Sequence, residues 1–452
     1  MFKIFANALR VEDIRKKLLF IFLLLLIFRF GSAIPLPGID MEYLDLVRRG
    51  GGQADGVGMT LFSLITGGGL ASLFAMGIAP YITASIIMQL LTYALKPLEE
   101  LKNEGEEGNK KIQQITRYLA VALAAVQAAA TVFSYTNVAM FGQNLFREGH
   151  QNLFVYAIAT LAMMSGTIFI MWLAELITEK GIGQGASFLI FANILAALPM
   201  GVLTLWSMIY DEGIQITGFL WVAILLVVFI LIIAFVVMVH EGERRIPVQY
   251  AKRAAAGNSR SASMHGNHNS FIPIKVNMAG VLSIIFAMSL LQFPRQIANF
   301  FPSTMVWNEA TGMMEPQLRA IERVANFLDW NNWWGMIIYV VLIFMFTHFY
   351  TSFAVNPKEM AENMKKNGGF IPGIRPGAPT SDFIQVTVDR LSWIGAIFYS
   401  IIAVTPILID LILGTQIAFG GTSLLIVTGV ALEFVKQLES QLLMRHYKGF
   451  LD

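Results

Sequence analysis

The chain has 452 residues, of which 56% are hydrophobic and 14% are charged, and its net charge is +2. A soluble protein of this length needs more polar and charged residues to cover its surface. The composition therefore excludes that class and indicates a polytopic membrane protein. The sequence contains no cysteine, which also excludes disulfides, thiolate nucleophiles and cysteine-based metal sites.

Residues 1–17 carry basic side chains ahead of an apolar run, a pattern that a signal peptide shares. Further apolar segments follow and Arg29 lies inside the first, which favours an amphipathic helix that leads into the membrane. A bilayer core about 30 Å thick needs roughly 20 apolar residues per helix. By this measure the sequence predicts an all-α protein with ten transmembrane spans: 18–36, 72–93, 117–137, 154–176, 187–206, 218–240, 276–297, 335–355, 389–413 and 421–443.

Charge in the connections predicts the orientation of the spans. The connections on the side of the N-terminus hold all but seven of the 32 lysine and arginine residues, so both termini are expected to be cytoplasmic. The spans divide into halves of five, 18–206 and 218–443, with an external hinge loop at 207–217 and a cytoplasmic tail at 444–452. Because five is odd, the second half enters the membrane inverted. We therefore expect an inverted repeat with a pathway where the halves meet.

The segment 61–91 is interrupted in a way that an ordinary span is not. Gly67, Gly68 and Gly69 break it near its start, and Pro80 follows within the apolar run. Broken backbone is tolerated in a bilayer only where protein buries it or where it lines a cavity. We expect a half-helix at 61–68 that folds into the protein and a span at 72–93 beside a pore. A kinked structural span is the alternative.

The sequence lacks the motifs of common catalytic and cofactor sites. No histidine pair has HExxH spacing, and neither a GxSxG elbow nor a GxxxxGK[ST] phosphate loop occurs. We expect His265 and His268 to be solvated in a loop tip and His348 to hydrogen-bond between helices. The spans are nearly free of the midplane charges that a transporter or proton pump needs. We therefore expect no catalytic residue, metal or cofactor, and a gate that closes by apolar packing and dewetting.

Two of the cytoplasmic connections, 241–275 and 356–390, are longer than a simple link requires. The first begins EGERRIPVQYAKR and passes into a small-residue polar tip. The second combines a short helix with a glycine- and proline-set turn around Arg375. They look like a docking platform, and solvated loops are the alternative. The glycine-rich run 181–185 follows a span rather than a strand, so it predicts a tight turn instead of a nucleotide loop.

Motifs in order along nearly the whole chain resemble the SecY family of bacterial protein-translocation channels. They are TGGGLASLFAMGIAPYITASIIMQLL (66–91), QQITRYLA (113–120), ITEKGIGQG (177–185), ERRIPVQYAKR (243–253), IPIKVNMAGV (272–281), FIPGIRPG (370–377) and FGGTSLLI (419–426). The resemblance implies an hourglass channel whose two halves open like a clam shell. It also implies an aliphatic ring at the waist and a short helical plug on the outer side.

The resemblance places the pore ring on aliphatic positions of four spans: Ile82, Ile86, Ala186, Ile190, Ile285 and Ile426. The four-residue spacing of Ile82 and Ile86 puts both on one helical face. Ala186 departs from the family, in which a bulkier aliphatic residue is usual. The plug falls at about 61–70, with the candidate residues Leu61, Phe62, Leu64, Ile65, Gly67 and Gly68.

The resemblance further implies a lateral gate between the second and seventh spans, through which signal sequences and membrane helices pass into lipid. The candidate gate residues are Gln89, Thr92, Asn277 and Gln292. Interhelical hydrogen bonding is the alternative role for such isolated polar residues.

The family's docking sites for the SecA motor ATPase and the ribosome fall on the two long loops. The basic candidates there are Arg244, Arg245, Lys252, Arg253 and Arg375. The tip at 254–270 departs from the family because it is longer and less basic. The resemblance also implies SecE- and SecG-type small subunits, signal peptides and unfolded preproteins as partners, contact with membrane lipid, no specific nucleic acid, and the bacterial plasma membrane. A secondary transporter, or an insertase without a through-pore, is the alternative function.

Overall fold

The fold comes from a computed structural model of the chain. It describes residues 8–42, 71–136, 144–149, 151–196, 199, 216–250, 270–276, 278, 280–298, 304–308, 313–317, 320–329, 332–413 and 421–448. Helices occupy all ten predicted spans. The chain is an all-α polytopic membrane protein with small sheets outside the helices, which confirms the predicted fold class.

The helices of the N-terminal part are α1 (Glu12–Ala33), α2 (Ala79–Ala94), α3 (Lys96–Asn103), α4 (Glu106–Tyr135), α5 (Leu153–Lys180) and α6 (Gly185–Ala196). The helices of the C-terminal part are α7 (Ile216–Glu241), α8 (Leu282–Ala298), α9 (Ala320–Phe327), α10 (Trp333–Ala354), α11 (Pro357–Lys366), α12 (Ala378–Leu413) and α13 (Gly421–Lys448). Four helical stretches of the described part are long and apolar enough to cross a membrane by length and composition alone: Glu106–Tyr135, Leu153–Lys180, Trp333–Lys366 and Ala378–Thr405.

The second span differs from its prediction, because residues 71–78 form turns and α2 begins only at Ala79. Pro80 therefore lies in the first turn of α2 rather than in the middle of a span. Proline is tolerated there, since the first helical N–H groups have no intrahelical acceptor. The bend that the sequence indicates is real, but it lies before the proline.

The 71–78 turns are held in place by backbone contacts to the end of α1. The Leu36 N–H donates to the Ala71 carbonyl at 3.0 Å, and the Leu73 N–H donates to the Ile34 carbonyl at 2.8 Å. Gly166 on α5 lets this backbone approach closely, because a Cβ at that position would lie 2.2 Å from the Leu73 carbonyl oxygen. The irregular segment is thus buried by protein, as backbone at membrane depth must be.

Helix α12 begins at Ala378, well before the predicted span at 389–413. Its first turns bury Thr380, Ile384 and Val388, which recur every four residues and so share one face. Ile384 and Val388 pack in an apolar cluster with side chains of the long loops. The helix extends beyond its apolar core segment because this second cluster stabilises its first turns.

The two long loops fold together, which the sequence did not indicate. The strands are β1 (Glu243–Tyr250), β2 (Ser270–Lys275), β3 (Thr304–Asn308), β4 (Met313–Gln317) and β5 (Gly369–Phe370). β1 lies between β2 and β5 in one antiparallel sheet, with Glu243 opposite Lys275 and Gln249 opposite Phe370. Strands β3 and β4 form a separate hairpin. We name β1, β2, β5, α11 and the turn 371–377 the sheet platform.

Two smaller predictions are confirmed. Residues 181–184 form a turn between α5 and α6, in which Gly183 has φ +94° and the Gly185 N–H donates to Thr178 Oγ1 at 2.9 Å. His348 Nδ1 on α10 lies 3.2 Å from Ser392 Oγ on α12, so this histidine does hydrogen-bond between helices. His265 and His268 lie outside the described residues.

Candidate functional site

Five of the six predicted ring residues lie together in one buried apolar cluster. They come from α2, α6, α8 and α13, and their exposed fractions are 8%, 5%, 2%, 4% and 0% for Ile82, Ile86, Ile190, Ile285 and Ile426. We name these five side chains the apolar constriction. Four helices far apart in sequence meet here with no polar side chain among the five. Packing of this kind can exclude water and ions without binding either.

Ala186 has a different position from the other five. It is half-buried and packs against the edge of the same cluster. At this turn of α6 the neighbouring Ser187 lines the adjacent cavity, together with Ile190 one turn further along. The ring role of all six residues stays a prediction.

A cavity of about 700 Å³ lies between the constriction and the sheet platform. Ile190, Ile285 and Ile426 of the constriction line it, and so do residues 273–275 of β2. We name this cavity the vestibule. Its remaining lining includes a set of polar side chains: Gln184, Ser187, His240, Lys275, Glu433, Lys436, Gln437 and Ser440. Polar and aliphatic side chains therefore line the same cavity.

Most of these polar vestibule residues were not predicted from the sequence. Only Glu433 gave a signal, since it interrupts the apolar run of the tenth span. Lys436, Gln437 and Ser440 follow it on the same face of α13, at spacings typical of one helical face. A helical-face analysis starting from Ile426 would have found them. Lys275 and His240 come from other elements, and only the tertiary structure brings them to the cavity.

The predicted gate helices α2 and α8 contact each other. Thr92 on α2 and Gln292 on α8 are both buried. The polar groups of α2 are bonded within that helix, because Thr92 Oγ1 donates to the Met88 carbonyl at 2.7 Å and Gln89 Nε2 donates to Ser85 Oγ at 3.3 Å. Gln89 Oε1 is buried with no hydrogen-bond partner among the described residues. Asn277 lies outside the described residues.

Three of the predicted docking residues lie exposed on the sheet platform: Arg244, Arg245 and Arg375. The Arg245 guanidinium pairs with Glu243 Oε1 at 2.7 Å and stacks 4.8 Å from the centre of the Phe271 ring. The Arg375 carbonyl accepts a hydrogen bond from Thr380 Oγ1 at 2.9 Å, which ties the turn to the start of α12. Lys252 and Arg253 lie outside the described residues.

The predicted plug at 61–70 also lies outside the described residues, with all six of its candidates: Leu61, Phe62, Leu64, Ile65, Gly67 and Gly68. Within the described part of the chain, no group of three or more His, Asp or Glu side chains is placed to hold a metal ion. The described residues thus place a cavity with a partly polar lining beside an apolar cluster to which the contacting helices α2 and α8 contribute.

Comparison with known proteins decides the family. The SecY family model matches residues 72–435, which is most of the chain. The chain belongs to the SecY family. A "Protein translocase subunit SecY" of Streptomyces scabiei is 40% identical over 460 residues, covering 100% of both chains. The subunit of the same name from Halalkalibacterium halodurans is 42% identical over 463 residues, again covering 100% of both.

Solved structures agree with this family at the level of the fold. A structure described as "The structure of a protein conducting channel" superposes with a TM-score of 0.62 at 17% identity, over 93% of this chain and 90% of that one. A Sec61 channel in a canine ribosome–channel complex gives a TM-score of 0.61 at 17% identity, over the same shares of the two chains. The helix arrangement described above is therefore that of SecY-family channels.

Proposed function

We propose that this chain is a protein-conducting channel that passes unfolded secretory polypeptides across the plasma membrane. The observation that carries the proposal is the apolar constriction at the end of the vestibule. Aliphatic side chains offer no directional bonds, so they can close against one another and can also yield to an extended chain of any sequence. A site for one metabolite or ion would instead need convergent polar or charged ligands.

The family supports this proposal. The relatives from Streptomyces scabiei and Halalkalibacterium halodurans carry the name protein translocase subunit, and one solved neighbour is described as a protein-conducting channel. The 40% and 42% identities extend over whole chains rather than a fragment. Residues 61–70 are proposed as the plug on the outer side of the constriction, on the strength of the TGGG motif alone.

We assign lateral release of signal sequences and membrane helices to the contact between α2 and α8. Because Thr92 and Gln89 bond within α2, separating the two helices need not break those hydrogen bonds. The unpartnered Gln89 Oε1 atom can accept a hydrogen bond from a passing segment. Both features suit a contact that opens and closes.

The channel is proposed to work without catalysis or a cofactor of its own, because the sequence has no phosphate-binding loop. The driving partner, SecA or the ribosome, would bind the sheet platform through its exposed arginines. Arginine suits this role because its guanidinium makes paired hydrogen bonds to carboxylates and phosphates. SecE- and SecG-type subunits are proposed as membrane partners, with both termini cytoplasmic.

Disulfide trapping tests the proposal directly, because the chain has no cysteine of its own. One cysteine replaces Ile86, and another is placed in the middle of a secretory precursor stalled during SecA-driven transport into vesicles. We expect a crosslink that requires both ATP and a signal sequence. If transport proceeds and no crosslink forms, the path lies elsewhere, and an insertase without a through-pore becomes the better function. A cysteine at the exposed Tyr93 serves as the matched control.

A further inference from the structure

Glu433 is an unusual residue for its place in the chain. It lies within the tenth predicted span, where a carboxylate is costly unless it faces protein or water. The structure puts it on the face of α13 that lines the vestibule, in line with Ile426 and Val430. It is the only carboxylate among the described residues that line this cavity. The residue thus sits about two turns from the constriction, on the platform side.

Two cationic side chains share the cavity with Glu433. They are Lys275 at the end of β2 and Lys436 on α13, and His240 near the end of α7 and Tyr350 of α10 line the same cavity. Gln437 Nε2 donates a hydrogen bond to Glu433 Oε1, at 3.4 Å. One carboxylate therefore offsets two positive charges in this cavity, which would otherwise repel one another.

Lys275 occupies a junction between the sheet platform and the constriction. It is the last residue of β2, opposite Glu243 on β1, and the chain continues from it into α8. The connection packs tightly on α13, because a Cβ at Gly429 would lie 2.6 Å from a methyl group of Val281. Both α8 and α13 supply constriction residues, Ile285 and Ile426. Movement of the platform can therefore reach the constriction at this point.

We propose that Glu433 is a positioning residue that couples the sheet platform to the apolar constriction through Lys275. Its carboxylate holds the base of the β1–β2 hairpin against α13, so that a partner bound to the platform moves α8 and α13 together. Without that carboxylate, Lys275 and Lys436 face each other and the hairpin base moves away from α13. The inference rests on the proposed function, because it needs a partner that opens the channel from the platform.

The experiment separates partner binding from channel opening. Vesicles containing the channel complex carry the wild-type chain, Glu433→Gln, Glu433→Asp, Lys275→Gln, or the exchanged pair Glu433→Lys with Lys275→Glu. Glu439→Gln is the matched control, since Glu439 lies on the same helix but does not line the vestibule. SecA and a preprotein are added, and SecA affinity and SecA-dependent ion flux are measured on the same vesicles.

We expect Glu433→Gln to leave the SecA affinity within about twofold while SecA-dependent flux falls by about tenfold, the usual range of coupling between two sites. Lys275→Gln should show a smaller loss, since it leaves the carboxylate and Lys436 in the cavity. Glu433→Asp should recover most of the flux because it keeps the carboxylate, and the exchanged pair should recover part of it. A purely structural role would instead lower SecA affinity and flux together. The Glu439→Gln control should behave as the wild type.

Two results would overturn the coupling role. One is wild-type flux in Glu433→Gln, and the other is an exchanged pair with no more flux than Glu433→Gln. If Glu433→Gln fails to accumulate, Lys275→Gln and the exchanged pair still decide the question. A wild-type chain that binds SecA and shows no SecA-dependent flux would instead contradict the proposed function, and the coupling with it.

Discussion

The apolar constriction and the sheet platform are built on opposite principles. The constriction joins five isoleucines from four helices that lie far apart in the sequence, and all five are buried. The sheet platform has a defined strand register, a glycine-set turn and exposed arginines. Packing of aliphatic groups depends on volume and has no preferred direction, whereas hydrogen bonds and ion pairs of arginine depend on geometry.

This difference decides which substitutions each region tolerates. Another aliphatic residue of similar volume should keep the constriction closed, because the shape of the side chain and its free energy of transfer from water change little. Lysine should not replace arginine on the platform, because it cannot form the same paired hydrogen bonds. The proposed seal should thus be permissive within one chemical class, and the proposed docking surface should be specific for one side chain.

The largest effect is expected at Ile426, which is fully buried in the constriction. Ile426→Asn should wet the seal, because burying an amide without partners costs about 2–7 kcal/mol and the site will instead admit water. We expect ion leak through idle vesicles to rise by about tenfold or more, since each 1.4 kcal/mol is about a factor of ten. Ile426→Val is the control and should stay tight. Equal ion leak in the two variants would contradict the role of the constriction as an apolar seal.

The next largest effect is expected at Arg375 of the platform. Arg375→Glu should lower SecA-driven transport by about tenfold, the size of a modest interface contact. Arg375→Lys should recover only part of that loss. Lys358→Glu reverses the charge of another exposed platform residue and should change transport little. Preprotein uptake into vesicles measures transport, and the melting temperature of each variant checks that the fold is kept. Full recovery with lysine would show that charge alone suffices.

A moderate effect is expected at the contact between α2 and α8, the proposed lateral gate. Gln89→Leu removes the buried unpartnered Oε1 atom and should strengthen the contact between α2 and α8. We expect slower lateral insertion of a test membrane helix by roughly fivefold, about 1 kcal/mol, the upper range for intramembrane polar contacts. Thr83→Val, which alters another polar site of α2, is the control. Faster insertion in Gln89→Leu would contradict a gating role.

The smallest effect is expected between α10 and α12, outside both regions. Ser392 Oγ donates to the Asp389 carbonyl at 2.8 Å, so it accepts from His348 Nδ1. Ser392→Ala should lower the free energy of unfolding by about 1 kcal/mol through loss of this interhelical bond. Ser400→Ala removes a bond that stays within α12 and should cost less. Thermal unfolding in detergent measures both, and ion leak should change in neither.

The sequence predicted the helices well because twenty-residue apolar runs leave few alternatives in a bilayer. It also predicted a bend in the second span, although not its position, together with the turn at 181–185 and the hydrogen bond of His348. It misplaced the start of α2, since the residues that hold the 71–78 turns belong to α1, α4 and α5. It missed the early start of α12 for the same reason: Ile384 and Val388 find their partners in the loops.

The sequence by itself determined the class of the molecule, its spans and, through family motifs, five residues that share one buried apolar cluster. Such features depend on composition, periodicity and local motifs, all of which are written along the chain. The tertiary structure alone decided that the two long loops share one sheet and that Lys275 and Glu433 line the same vestibule. Strand pairing and charge pairing join residues far apart in sequence, and no local pattern specifies which partner each will meet.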